Sequence, residues 1–356
     1  MHPAYNTLAI HFSSLWPVPL NRVHRTGAGG AEAACHRPAQ AAQGGGVGRA
    51  DEVIEKFTWR FDGTGEIEPG YSHVFVVSAD GGAPRQVTQG EYDFDGPLAW
   101  TPDGRSVILA ANPVADADHD PIESDLYRVA IDDGTPTRLT TRDGPDTSPS
   151  ISADGRYVAY VGFEDRRLSY HNTVLSVLDL ESGVTRALTA GFDRSIDNPQ
   201  WDGDHGIWFR FDDRGITKIG WIAAQGGEVQ VVARDLGGTA MGRPYDGGSL
   251  HAVGGRVAYT HNSNERPADV AVVERGEEPR VLTALSDDLL SARTLGKVEE
   301  LTWKSSFDQR EVQGWLVYPP GFDAAKKYPL LLRHRPRLRL ARPLAGTAPG
   351  QPHLPA

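Results

Sequence analysis

The residues Trp100-Thr101-Pro102-Asp103-Gly104-Arg105 decide the fold, because related stretches recur along the chain. The recurring unit is a tryptophan or another large apolar residue, followed within a few positions by an Asp-Gly turn. It begins again at Trp59, Ile151 and Trp201, and a weaker copy lies at Ala252–Gly255. A repeat of about fifty residues is the sequence signature of a protein built from copies of one small structural unit.

Each clear copy continues with an alternating apolar run, as in Ser106–Ala110 and Tyr157–Val161. Asp-Gly between two such runs is a strong hairpin signal, because glycine accepts positive φ at little steric cost. A second pair of strands follows and ends near a Leu-Thr dipeptide, as at Leu139-Thr140. Four short strands per repeat make one blade of a β-propeller. We therefore predict an all-β fold, with about five recognisable four-stranded propeller blades over residues 51–296.

The alternative fold is an antiparallel sandwich in which the spacing is fortuitous. A sandwich need not restart the same turn at a constant interval, whereas propeller blades do, because each blade occupies the same wedge-shaped environment. On the propeller interpretation Trp59, Trp100 and Trp201 are structural and fill the space between neighbouring blades. A ligand-stacking role for these tryptophans is the weaker alternative.

Composition and charge exclude several classes of partner. The chain has 356 residues, is 39% hydrophobic, and carries a formal net charge of -11. Both ends are basic, so the body between them is more acidic than the total. An acidic body repels phosphate groups and anionic lipid, so we predict no nucleic acid and no membrane partner. Cys35 is the single cysteine, which excludes an intrachain disulfide.

The apolar stretch Leu8–Leu20 does not have the features of a secretory signal peptide. It is broken by Pro17 and Pro19 and has no basic residue before it. No run of the sequence approaches the length needed to cross a bilayer. We therefore expect a cytoplasmic location.

A stretch near the end of the acidic body indicates the kind of protein to which the propeller belongs. Glu299–Ser305 and Val312–Tyr318 are predicted strands, and Pro319-Pro320-Gly321 ends the second of them. This stretch and the Trp-x-Pro-Asp-Gly-Arg repeats resemble the prolyl oligopeptidase family of serine peptidases, in its acylaminoacyl-peptidase-like and dipeptidyl aminopeptidase-like members. The resemblance implies that residues 297–332 are the first strands of an α/β-hydrolase domain. The repeats alone also resemble TolB-type and WD40-like propellers.

The residues that carry this family's chemistry are not found in the sequence. A hydrolase nucleophile requires Gly-x-Ser-x-Gly, and no such motif occurs. The nearest approximations centre on Ser72, Ser106 and Ser249, each with another residue in place of the second glycine. His334 follows a predicted third strand, Tyr328–Leu332, but no Gly-Gly follows it as in the family's oxyanion segment. We predict no catalytic residues in this chain, and no activity of the chain alone.

Both ends differ from the body. Residues 1–50 and 333–356 are rich in Ala, Gly, Pro and Arg, lack periodicity and reverse the local charge. We predict an atypical, disordered segment over 1–50 and an aberrant Arg/Pro-rich tail over 333–356, arising from an altered reading frame or a mispredicted gene end. Genuine disordered tails are the alternative.

Other patterns do not predict a bound group. Asp116, Asp118, Asp120 and Glu123 alternate as in calcium loops, but Pro121 and Tyr127 stand where an EF-hand requires Gly and Glu. A solvated acidic loop is the better interpretation. Gly44–Gly48 does not join a strand to a helix, and the histidines form no zinc pattern. We predict no cofactor and no metal.

The resemblance implies a fragment of a serine peptidase that retains the propeller, which restricts access of peptide substrates in the parent family. The alternative function is a stand-alone TolB-like propeller that acts as a protein-binding scaffold. A third possibility is a subunit that pairs with a separately encoded hydrolase domain. The open sheet edges of a partial ring further predict self-association.

Overall fold

Nearly all regular elements in the described part of the chain are β-strands. The computed structural model describes residues 7–13, 22–25, 57, 59–61, 65–67, 70–114, 117–203, 205–238 and 247–332. Within these ranges lie 24 strands, one 3-10 turn at Ala117–His119 and one short helix, α1, at Asp287–Leu290. No helix in these ranges has the length and apolar character to cross a membrane. The predicted all-β, propeller-like architecture is confirmed at this level.

In chain order the strands are β1 Thr7–Ser13, β2 Arg22–Arg25, β3 Arg60–Phe61, β4 Gly65–Glu66, β5 Ser72–Ser78, β6 Arg85–Gln86, β7 Ala99–Trp100, β8 Ser106–Ala111, β9 Asp125–Ala130, β10 Pro136–Arg138, β11 Asp146–Ile151, β12 Tyr157–Gly162, β13 Val174–Asp179, β14 Thr185–Ala187, β15 Ile196–Asp202, β16 Gly206–Asp213, β17 Ile216–Ala223, β18 Gln230–Leu236, β19 Leu250–Val253, β20 Arg256–His261, β21 Asp269–Glu274, β22 Arg280–Val281, β23 Val298–Lys304 and β24 Glu311–Val317.

The sequence repeats appear as four-stranded antiparallel meanders. Strands β7 to β10 form one sheet and β11 to β14 form the next, each with its strands in sequential order. Strands β15 to β22 form two further meanders, joined into one eight-stranded sheet by the pair Leu236 and His261. These pairings do not close the described sheets into a ring.

The first sheet differs from the sequence prediction. Its strand order is β2-β1-β5-β6, so two strands from residues 1–50 complete it. The hairpin after Trp59, predicted to begin this sheet, instead forms the separate two-stranded sheet β3-β4. The overlooked signal is the alternation of Leu8, Ile10 and Phe12, which has the period of a strand. Trp59 is 42% exposed, whereas the corresponding Trp201 is 9% exposed.

Strand β8 shows how successive sheets stack. All six of its residues are buried. Val107 and Leu109 belong to a core cluster with Val74 of the first sheet. Ile108 belongs to a second cluster with Val158 of the following sheet. Because alternate residues point to opposite faces of a strand, β8 packs against both neighbouring sheets, and its continuous apolar sequence follows from that.

The Asp-Gly turns are closed by side-chain hydrogen bonds. The Thr101 hydroxyl donates to Asp103 Oδ1 at 2.6 Å, and the Arg105 N–H donates to the same oxygen at 3.0 Å. Ser152 and Asp154 repeat the first bond at 2.6 Å in the next sheet. These hydrogen bonds lower the pKa of both aspartates. Thus the Ser/Thr-x-Asp-Gly pattern encodes one hairpin turn.

The three Leu-Thr dipeptides and the equivalent Val87-Thr88 have an equally specific role. In each case the threonine hydroxyl accepts a hydrogen bond from a backbone N–H on the preceding strand, at 2.9 Å. The outer strand is thereby fixed to its neighbour at one end. The donor and acceptor pairs are Val74 and Thr88, Leu126 and Thr140, Leu175 and Thr189, and Val270 and Thr283.

The predicted strands after residue 297 are present as the hairpin β23-β24, paired from Val298 with Val317 to Lys304 with Glu311. The hairpin contacts the β16-β17 turn, where Gln313 Nε2 donates to the Arg214 carbonyl oxygen at 2.9 Å. The predicted third strand at Tyr328–Leu332 does not form. Its three leucines are largely exposed, with no strand beside them in the described chain.

Candidate functional site

The three serines considered as approximate nucleophiles lie in or beside three different sheets. Ser106 is buried in β8, and its N–H donates to Thr101 Oγ1 at 3.0 Å. The N–H of Ser72 donates to Asp93 Oδ1 at 2.6 Å, and the N–H of Ser249 donates to Thr260 Oγ1 at 2.9 Å. In all three the backbone serves the local sheet or turn, and we assign none of them a catalytic role.

A group of three acidic side chains lies in the loops that precede β9 and β11. Asp120, Glu123 and Asp143, here called the rim cluster, each offer a carboxylate oxygen within 4.8 Å of the others. Asp120 follows the 3-10 turn between β8 and β9, whereas Asp143 lies between β10 and β11. The sequence pattern included the first two residues but missed Asp143, because it comes from another loop. Asp116 lies outside the described residues.

Hydrogen bonding and charge both act on the rim cluster. Glu123 Oε2 accepts a hydrogen bond from the Gly144 N–H at 2.6 Å, which ties the two loops together. Burial raises the pKa of Glu123, and the charges of Asp120 and Asp143 add to the effect. Arg167 lies 3.6 Å from Asp120 and partly offsets the negative charge. Exposed acidic groups commonly occur without a bound ion, so the rim cluster by itself does not establish a metal site.

Behind the rim, two buried aspartates stand at the starts of β9 and β11. Asp146 forms an ion pair with Arg142, and Asp125 forms one with Arg138. The Thr140 hydroxyl also donates to Asp125 Oδ1 at 3.1 Å. Burial raises the pKa of Asp146 to about 6, although Arg142 opposes the shift. Burial likewise raises the pKa of Asp125.

The backbone makes room for the Arg142–Asp146 pair. A Cβ on Gly162 would overlap both side chains of the pair. The N–H of Asp146 also donates to the Ser124 carbonyl oxygen at 2.8 Å, which links the starts of β11 and β9. Chemically, this arrangement can bind and release a proton near pH 6 and fixes the ends of two strands. It does not present a nucleophile with a base.

Comparison with known proteins shows similarity to peptidases. Residues 54–162 match the family described as the dipeptidyl peptidase IV (DPP IV) N-terminal region. Dipeptidyl-peptidase 5 of Porphyromonas gingivalis is 26% identical over 256 residues, which cover 70% of this chain and 35% of that protein. The uncharacterized peptidase YuxL of Bacillus subtilis is 25% identical over 298 residues, covering 78% of this chain and 43% of that protein.

Solved structures give the same fold. An acylaminoacyl peptidase in complex with Z-Gly-Gly-Phe-chloromethyl ketone aligns with a TM-score of 0.60 and 18% identity, covering 79% of this chain and 41% of that one. The acylaminoacyl peptidase of Pyrococcus horikoshii aligns with a TM-score of 0.58 and 18% identity, covering 76% and 40%. The chain thus spans less than half the length of these relatives. Its similarity to the dipeptidyl peptidase IV N-terminal region, to dipeptidyl-peptidase 5 and to the acylaminoacyl peptidases supports a prolyl oligopeptidase-family peptidase with an N-terminal propeller.

Proposed function

We propose that this chain supplies the substrate-gating propeller of a prolyl oligopeptidase-family serine peptidase and does not itself carry the Ser-His-Asp residues. The observation that carries the proposal is the match of residues 54–162 to the dipeptidyl peptidase IV N-terminal region, within sheets that repeat one four-stranded unit. The curated relatives named as dipeptidyl-peptidases support peptides as the substrate class.

The proposal includes a blade assignment. The sheet β2-β1-β5-β6, the meanders β7 to β10 and β11 to β14, and the two halves of the eight-stranded sheet serve as five blades. The hairpin β23-β24 serves as the first two strands of an α/β-hydrolase domain. Its position directly after the last meander supports this assignment, as does the sequence resemblance of Val298–Leu332.

A direct test of the proposal is covalent labelling with a fluorophosphonate, which reacts with activated serines. The purified chain is expected to remain unlabelled, since the sequence offers no Gly-x-Ser-x-Gly. An active serine hydrolase in the same tube shows that the probe works. Specific labelling of one serine, abolished by heat denaturation, contradicts the proposal. In that case Ser72→Ala, Ser106→Ala and Ser249→Ala identify whether one of the approximate motifs is the site.

The TolB-like scaffold function is the less favoured alternative, because the curated relatives with the larger overlaps are named as peptidases. The two functions differ in what the chain should bind. A gating propeller is expected to associate with a hydrolase domain of the same family, whereas a scaffold is expected to bind unrelated proteins. Binding measured with a separately produced hydrolase domain from a family member distinguishes them.

A further inference from the structure

Neither edge of the β23-β24 hairpin has a partner strand in the described part of the chain. The two strands form a sheet of their own, and neither pairs with a third strand there. An isolated two-stranded hairpin is marginally stable in water. An unpaired edge also offers backbone donors and acceptors to another strand. The sequence of β23 indicates which strand would fit.

The hydrogen-bond pattern fixes which backbone groups of β23 face outward. Ser305 N–H donates to the Arg310 carbonyl oxygen at 2.8 Å, and Tyr318 N–H donates to that of Lys297 at 2.9 Å. With the observed register, the odd-numbered residues of β23 therefore bond to β24. Antiparallel bonding alternates along a strand, so the even-numbered residues direct their N–H and C=O groups to the open edge. These residues are Val298, Glu300, Thr302 and Lys304.

Charges along this edge are complementary to a second copy of themselves. If two β23 strands pair antiparallel about a two-fold axis at Thr302, then Glu300 lies opposite the partner's Lys304 and Lys304 lies opposite the partner's Glu300. Both side chains are exposed. Gln313 Nε2 donates to Glu300 Oε1 at 2.6 Å, which holds this carboxylate on the hairpin. Opposite charges placed directly across two strands stabilise the pairing.

The same register also covers apolar surface. Leu301 lies opposite the partner's Trp303, on the face of the hairpin that points away from the Arg214 contact. Leu301 is 38% exposed and Trp303 is 50% exposed. The opposite face is already engaged, because the Trp315 indole lies where a Cβ on Gly215 would be. Pairing at the edge therefore removes indole and leucine surface from water on the free face, whereas Glu300 and Lys304 lie on the face that carries the Arg214 contact.

We propose that β23 pairs antiparallel with β23 of a second copy of this chain, giving a two-fold dimer with a continuous four-stranded sheet. The β23 contact is self-complementary, so this edge joins two copies and is then fully used. The association is independent of the peptidase assignment. It also uses a different surface from the open propeller edges, through which the sequence alone predicts self-association.

Charge reversal in the full-length chain tests the proposal by sedimentation equilibrium. The wild-type chain is expected to be dimeric. In the dimer, residue 300 of each copy lies opposite residue 304 of the other. Glu300→Lys and Lys304→Glu each place like charges at both of these positions and should raise the dimer dissociation constant about tenfold or more. An equimolar mixture of the two variants should recover the dimer, because opposite charges then meet again at both pairs. Recovery also shows that both variants are folded.

Glu278→Lys is the matched control, since it makes the same charge change at an exposed residue before β22 and should leave the dimer intact. Three outcomes overturn the proposal: a monomeric wild-type chain, a dimer that both single variants leave unchanged, or a mixture that stays monomeric although circular dichroism shows both variants folded. Aggregates that the charge reversals do not disperse also count against it.

Discussion

Arg142 and Asp146 form an ion pair in which the carboxylate is almost completely buried while the guanidinium reaches solvent. The side chain of Asp146 is 1% exposed and that of Arg142 is 31% exposed. Burial penalises the charged carboxylate more than the arginine compensates, so the pKa of Asp146 is raised to about 6. The pair therefore makes the folding stability of the protein depend on pH.

This asymmetry predicts a fall in stability as pH rises from about 4 to about 6. The unfolded chain loses the Asp146 proton near pH 3.9, whereas the folded chain keeps it to about pH 6. The folded state therefore binds more protons between these pH values, and the free energy of unfolding falls as pH rises through them. A shift of about two pKa units corresponds to about 3 kcal/mol. Urea denaturation at a series of pH values measures the change.

Asp146→Asn cannot titrate, so the difference in free energy of unfolding between this variant and wild type should change with pH over that window. Asp179→Asn is the control, because hydrogen bonding to Arg156 lowers the pKa of Asp179 to about 2. Its difference from wild type should vary below pH 4 instead. A pH-independent difference for Asp146→Asn argues against a raised pKa.

Alanine substitutions at two glycines should test the contact between successive sheets. Gly134 and Gly183 occupy corresponding turns with φ of 72° and 71°. A Cβ at Gly134 would overlap the Val87 carbonyl oxygen, whereas a Cβ at Gly183 would meet nothing within 4 Å. Gly183→Ala should cost about 1 to 2 kcal/mol for the backbone conformation alone. Gly134→Ala should cost about 1 to 3 kcal/mol more, for the steric overlap.

Chemical denaturation of the two alanine variants gives the comparison. Because the backbone strain is common to both, the difference between them isolates the contact between sheets. Equal losses would mean that the Val87 carbonyl does not lie against this turn.

The Leu-Thr hydrogen bond predicts the effect of removing a single hydroxyl. Thr140 accepts from the Leu126 N–H at 2.9 Å and donates to the buried Asp125. Thr140→Val leaves both groups without this partner and should cost about 1 to 3 kcal/mol of unfolding free energy. Thr137→Val, on the exposed strand β10, removes a hydroxyl of the same kind and should change stability by less than about 0.5 kcal/mol. Similar effects of both changes in thermal denaturation would disprove the role assigned to Thr140.

The repeat tryptophans are predicted to differ in importance. Trp201 is 9% exposed, so Trp201→Ala should cost about 3 to 5 kcal/mol. Trp59 is 42% exposed, and Trp59→Ala should cost much less. The two variants can be compared by urea denaturation followed by circular dichroism. A large loss at Trp59 would show that the indole is covered in solution.

Local chemistry made much of this fold predictable from sequence. The turn at Asp103, the Leu-Thr ends and the strands near Val298 each depend on residues that are close in sequence, and the structure contains all of them. The first sheet was not predicted, because β1 joins β5 across some sixty residues and only its apolar alternation marks it. Asp143 was missed for the same reason, since its partners in the rim cluster come from another loop.

Strand β8 has a consequence for how such a chain can change over time. Each of its faces belongs to a different core, so a neighbouring sheet needs to match only one face of the sheet it joins. Whole repeats can therefore be duplicated or lost at the ends of the array while the interior contacts stay as they were. Because β8 contributes to both cores, one substitution in this strand can weaken both of them.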